Sequence, residues 1–197
     1  MRIFIFTLLL LSHFTLSAQL KKGTFNVGVS TDAPFRVKGS TNGQGTRSYE
    51  FSFQPQFGYM FTDRWEIGAG PVLSFSGNRT RIDNSLPPYK NNFHTLGAQV
   101  FTRYYLKKEG KLIPYLVAGL QYGHTTMVNS SPPTPKYRYS FNEWQFRAGG
   151  GLNWFAGPRT ALFSELTYTG TWGNGSGYTS GVNLNFGVRL FLGKKRK

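Results

Sequence analysis

The sequence predicts an all-β protein, an eight-stranded antiparallel up-and-down transmembrane β-barrel. Three observations carry this. Apolar and polar residues alternate with period two in eight separate stretches, while helical periodicity is scarce. The stretches are about 8 to 14 residues long, near the length a tilted strand needs to cross a bilayer. Long and short connections between them alternate, which is the pattern of an outer-membrane barrel.

The elements follow in order. Arg2, the apolar run from Ile3 to about Leu16 and the small residues Ser17 and Ala18 read as a secretory signal peptide over residues 1–18. The run is too short to span as an anchor. Residues 19–197 then form one domain by length. In the first stretch Phe25, Val27 and Val29 alternate with Asn26, Gly28 and Ser30. In the second Tyr49 to Phe61 alternate with Glu50, Ser52, Gln54, Gln56, Gly58 and Met60. Trp65 to Phe75 alternate with Glu66, Gly68, Gly70, Val72 and Ser74, and Leu96 to Leu106 run against Gln99 and Arg103. Leu112 to Tyr122, Trp144 to Trp154 and Leu162 to Tyr168 give three more, with Arg147 and Glu165 on their polar phases. Val182, Leu184, Phe186, Val188, Leu190 and Leu192 against Asn183, Asn185, Gly187 and Arg189 complete eight. Pro55, Pro71 and Pro114 lack ladder donors, so they should mark bulges or strand ends.

Tight connections fall at 62–64, 107–111 and 157–160, and long ones at 31–47, 78–92, 128–142 and 173–178. With both termini on one side, such a barrel has three turns at that end and four loops at the other, as observed. The apolar phase should face outward, to lipid. A ligand-holding barrel would bury the same phase, but here the opposite phase carries Glu50, Glu66, Arg103, Arg147, Glu165 and Arg189 among Gly, Ser, Asn and Gln. Aromatics also collect near strand ends (Tyr49, Phe61, Trp65, Phe75, Tyr104, Tyr122, Trp144, Trp154 and Tyr168), as interfacial girdles do.

The stretch "FGYMFTDRWEIGAG" (57–70) resembles the strand–turn–strand of the small outer-membrane β-barrel family common in Bacteroidota. The end of the chain is similar to the signal read by the barrel assembly machinery, with Asn185, Gly187, Leu190 and Leu192 at the matching places. It departs from that signal in not stopping on an aromatic. The resemblance implies an OmpA- or OmpX-like architecture, location in a Gram-negative outer membrane and no single activity. It also implies outer-membrane lipids, lipopolysaccharide included, and the assembly machinery as partners.

Among candidate sites, the six inward charges are the sharpest. An eight-strand barrel is just filled by its side chains, and buried ions must pair. Glu66 and Arg103 sit low in the barrel, and Glu165 is flanked by the strands carrying Arg147 and Arg189. These charges read as a structural salt-bridge plug, with a gated ion path as the alternative. Arg79, Arg81, Lys90, Lys136 and Arg138 read as a loop surface for an extracellular ligand or lipopolysaccharide phosphates. His124 with Thr126 and Ser130 offers a weak enzyme pattern, of the kind used on lipid A, without a supporting acid. No His pair has metal-ligand spacing, and no cofactor or catalytic residue is expected. A net charge of +15 and the basic tail at 194–197 suit nucleic acid, but the signal peptide and lipid-facing strands argue against it. The functional expectation is a structural or surface-interaction role, with a narrow solute pore as the rival and a lipid A-modifying enzyme behind it.

Overall fold

The computed structural model describes residues 20–32, 37–38, 45–81, 89–130, 136–173 and 176–193. The expected signal peptide and the basic tail lie outside them. Nine strands form one antiparallel sheet: β1 (Phe25–Asp32), β2 (Val37–Lys38), β3 (Gly45–Met60), β4 (Trp65–Arg81), β5 (Tyr89–Tyr105), β6 (Leu112–Ser130), β7 (Tyr137–Phe155), β8 (Thr160–Gly173) and β9 (Ser176–Leu192). The two residues of β2 merely extend the edge of β3. The other eight are neighbours in chain order, and β1 pairs with both β3 and β9, so the sheet closes on itself. Closure leaves no unpaired edge, which a wall in hydrocarbon cannot tolerate.

The registers fix the shape of the barrel. Val27 lies opposite Phe57, and successive partners run Ala69, Val100, Leu120, Phe146, Gly170 and Ser180. The residue of β9 opposite Val27 is instead Leu190, ten positions beyond Ser180. A stagger of ten over eight strands tilts them by roughly 40° from the axis. The even stagger also keeps every apolar phase on the same side of the wall.

That side is the outside. Phe51, Phe57, Ile67, Leu96, Val100, Leu116, Leu166, Val182 and Leu184 are all exposed, whereas Gln56, Glu66, Arg103, Asn153, Glu165 and Arg189 are buried within. Aromatic contacts mark both rims of the apolar band. Phe61, Trp65 and Tyr104 meet edge to face at the short-turn end, and Tyr122 packs on Trp144 at the other. On β7 the rims are Trp154 and Trp144. At about 3.3 Å per residue and the tilt above, they stand about 25 Å apart along the axis, the height of an outer-membrane apolar band.

Two sequence expectations need correction. Six of the eight wall strands are longer than 8 to 14 residues, reaching 19 in β6 and β7, while β1 and β8 fall within that range. The polar segments beyond the upper girdle keep pairing there, because backbone ladders do not need apolar side chains. Arg79, Arg81, Lys90 and Arg138 therefore stand in strands rather than loops, with Lys136 just ahead of β7.

The prolines do not make bulges either. The β3–β4 register is the same on both sides of Pro55, which places Pro55 directly across from Pro71. Neither can donate, so pairing lapses there and resumes unshifted. Pro55 still aligns with Val29 of β1 and Pro71 with Ala98 of β5. Pro114 is the third residue of β6 and fits a strand end. The one register shift among the described residues falls between Thr171 and Gly173, at the loop end of β8.

Candidate functional site

The lumen is built in three layers. The lowest, at the end with the short turns, is apolar. Met60, Tyr105, Ile113, Phe155, Ala161 and Phe191 all occupy inward phases at the ends of their strands and cluster around Leu20, which is 3% exposed. Leu20 lies ahead of the first strand. Residues 20–24 cross the mouth as a strap, held by Leu20 N–H to Lys108 O at 2.9 Å and Gly23 N–H to Met60 O at 2.8 Å. Gly23 turns at φ +83°, a conformation other residues resist. The Lys22 N–H donates to Asp63 Oδ1 at 3.0 Å, and Lys108 Nζ lies 3.4 Å from Asp63 Oδ2. Those contacts, the Lys22 amide first, hold the Asp63 carboxyl below its ordinary range.

The middle layer is the ion network. Arg103 on β5 donates to Glu66 Oε1 at 2.7 Å, to Glu165 Oε1 at 3.0 Å and to Gln56 Oε1 at 2.5 Å. Arg189 on β9 donates to Asn153 Oδ1 at 2.9 Å and reaches Glu165 Oε1 at 3.4 Å. Tyr115 donates to Glu165 Oε1 at 3.0 Å, and Tyr105 donates to Glu66 Oε2. Two acids balance two bases at full burial. Charges so placed persist only when paired and hydrogen-bonded.

Glycine makes the room. Gly68 faces Phe101 and Gly187 faces Phe163 across the ladder, and a Cβ on either glycine would sit 2.3 or 2.5 Å from the ring. Each ring then carries a guanidinium at 4.1 Å, Arg103 over Phe101 and Arg189 over Phe163. This is a cation–π contact away from water.

The upper layer is a cup of about 380 Å³, lined by side chains that include Glu50, Glu143, Ser74 and Gln54. Of the six inward charges read from the sequence, the network joins Glu66, Arg103, Glu165 and Arg189. Glu50 stands above, in the cup wall. Arg147 points inward and is buried, two positions below Gln145 on β7. Sequence reasoning missed Gln56, Tyr105, Tyr115 and Asn153 as network members, and Leu20 entirely. The four share the inward phase with the charges, which is the signal that could have found them.

Outside the wall, Arg79, Lys90 and Arg138 share the outward phase of their strands, beyond Phe75, His94 and Trp144. The Arg81 side chain lies outside the described residues. Asn185 is inward and buried, Gly187 lies under Phe163, and Leu190 and Leu192 face outward. His124 is also on the outer wall, its Nδ1 2.8 Å from Asn142 Oδ1, with Thr126 bonded to Ser140 at 3.1 Å. Ser130 lies six residues farther along β6, about 20 Å away. Glu143 points into the cup instead. These groups do not converge on one reacting atom. Among the described residues no cluster could hold a metal ion.

Residues 16–171 match the outer membrane protein beta-barrel domain family. The chain belongs to that family. No curated protein matches it. Among solved structures, OprG from Pseudomonas aeruginosa is 15% identical, with 88% of this chain and 98% of that one covered at a TM-score of 0.51. The N-terminal β-barrel domain of OprF from the same organism is 17% identical, over 87% and 98%, at 0.45. Neisserial surface protein A is 15% identical, over 86% and 99%, at 0.44. The family and its outward apolar band place the protein in the outer membrane of a Gram-negative bacterium. The turn end with the strap is then periplasmic, and the cup opens to the outside.

Proposed function

We propose that this outer-membrane barrel does not conduct and works from its external side, as a wall element whose contacts are made outside the lumen. One observation carries the reading: the periplasmic half of the lumen is occluded twice, by the fully buried Glu66–Arg103–Glu165–Arg189 network and by Leu20 beneath it. An ion crossing there would have to break a compensated network in a low-dielectric interior, at a cost of several kcal/mol. The contact surface is the basic belt of Arg79, Lys90 and Arg138 above the upper girdle, where lipopolysaccharide phosphates would lie. Planar-bilayer recording of the purified, refolded barrel tests the reading. It predicts no unitary steps above the bare membrane. Reproducible steps abolished by cross-linking the strap would establish the narrow-pore alternative.

A further inference from the structure

The periplasmic end carries a surface that neither the lumen nor the external belt uses. Between the β3–β4 turn and the β5–β6 turn lies a shallow cleft of about 460 Å³, lined by Thr62, Asp63, Arg64, Trp65, Tyr104 and Lys108. The turn that presents Arg64 is tied down. Thr62 Oγ1 accepts the Arg64 N–H at 3.2 Å and the Trp65 N–H at 2.9 Å, and the Phe61 N–H donates to Trp65 O at 3.0 Å. The Trp65 and Tyr104 rings meet edge to face with centroids 5.9 Å apart, so the aromatic wall of the cleft is preformed.

Its charge is one-sided. Asp63 is the acid of the lining, and it is already engaged by the Lys22 N–H on Oδ1 and by Lys108 Nζ on Oδ2. Lys21 acts on the same carboxyl. Lys21, Lys22, Arg64 and Lys108 thus stand around one carboxylate, and on the β5–β6 turn Lys107 offsets Glu109. The side chains of the Lys108–Asp63 pair are both 48% exposed. Such a pair contributes little, so Lys108 can turn to another anion at small cost. No ion pair among the described residues takes Arg64.

Height decides the kind of anion. Trp65 and Tyr104 belong to the lower aromatic girdle, which stands at headgroup level. Farther into the bilayer the same two strands present Ile67 and Val100, both 56% exposed on the lipid side. Cations, then rings, then aliphatic wall follow one another along the membrane normal. That sequence matches a molecule whose anionic head is joined to apolar chains. A soluble anion would use only its charged part.

We infer that the cleft is a binding site for the headgroup of an anionic phospholipid of the periplasmic leaflet. The phosphate lies between Arg64 and Lys108, the glycerol against Trp65 and Tyr104, and the chains along Ile67 and Val100. The site is separate from the external belt and stands whether or not the lumen conducts.

Native mass spectrometry of the refolded barrel in neutral-detergent micelles tests it. The probe is phosphatidylglycerol, compared with zwitterionic phosphatidylcholine of the same chains and with glycerol phosphate, a headgroup without chains. Saturable retention of phosphatidylglycerol is expected, at least about fivefold tighter than phosphatidylcholine, with no retention of glycerol phosphate. Arg64→Gln should weaken phosphatidylglycerol about fivefold, the weight of one base near a membrane surface. Arg159→Gln removes the same charge from the β7–β8 turn, away from the cleft, and should change the affinity by less than about twofold. Heat-modified gel mobility checks that both variants remain folded barrels. Equal affinity for the two lipids, glycerol phosphate held as tightly as the lipid, or equal losses from Arg64→Gln and Arg159→Gln would overturn the proposal.

Discussion

Replacing Glu165 with Gln isolates the charge at the centre of the barrel while keeping its volume. Glu165 Oε1 receives Arg103 at 3.0 Å, Arg189 at 3.4 Å and the Tyr115 hydroxyl at 3.0 Å. At an effective dielectric near 20, each ion pair is worth about 5 kcal/mol of Coulomb energy before desolvation is subtracted. The glutamine oxygen still accepts hydrogen bonds, so only part is lost. Two guanidinium groups are left facing Glu66 alone, however, and breaking a buried pair from one side typically costs about 3–5 kcal/mol. We expect Glu165→Gln to lower the unfolding free energy by about that amount, measured by urea titration in lipid vesicles and read by the folded and unfolded gel bands. Adding Arg189→Met restores two-charge neutrality and should recover at least half of the loss. A single-variant cost below about 1 kcal/mol, or a double variant weaker by the sum of the two singles, would refute the idea that charge balance holds the layer together.

Three further outcomes follow from the geometry. Gly58→Ala puts a Cβ 2.4 Å from Glu66 Oε1 and should cost about 1–3 kcal/mol in the same titration, whereas Gly157→Ala, with nothing within 4 Å, should fall within about 0.5 kcal/mol of the parent. The depressed Asp63 carboxyl stabilises the strap above its unfolded value near 3.8, and that contribution disappears only as pH falls through the lower folded value. The Lys22 amide resonance should accordingly hold steady from neutrality to about pH 4 and move only below it; movement above pH 5 would contradict the contact. Replacing Arg79, Lys90 and Arg138 together with Ala should weaken lipopolysaccharide binding by roughly 1 kcal/mol per base at low salt, with the difference shrinking as salt rises. A salt-independent difference would point to packing instead.

The barrel was legible in the sequence because one face of every strand meets lipid and the other meets the lumen. Val182 to Leu192 records that contrast without help from packing. Strand ends were not legible, since above the girdle Asn78, Asn91 and Asn129 continue the backbone ladder and carry no apolar alternation. The inward phase identified Glu66, Arg103, Glu165 and Arg189, but their partners depend on a ten-residue stagger that exists only once the sheet is closed. The same holds for Pro55 and Pro71, whose opposition follows from register and not from either local sequence. Tyr105, Ile113 and Phe191 sat on a phase read as polar, and their layer is apolar because the segment at 20–24 comes in to cover it. Leu20 lies in no strand, so no periodicity could reveal it.

The central claim is a lumen open above and closed below, and the absence of cysteine makes it directly testable. Ser74→Cys places a thiol in the cup, and Ala161→Cys places a closely matched side chain in the fully buried layer beneath the network. A membrane-impermeant thiol reagent added outside intact cells should label Ser74→Cys and leave Ala161→Cys unreacted. Comparable labelling of both would mean that water passes the network and would contradict the account.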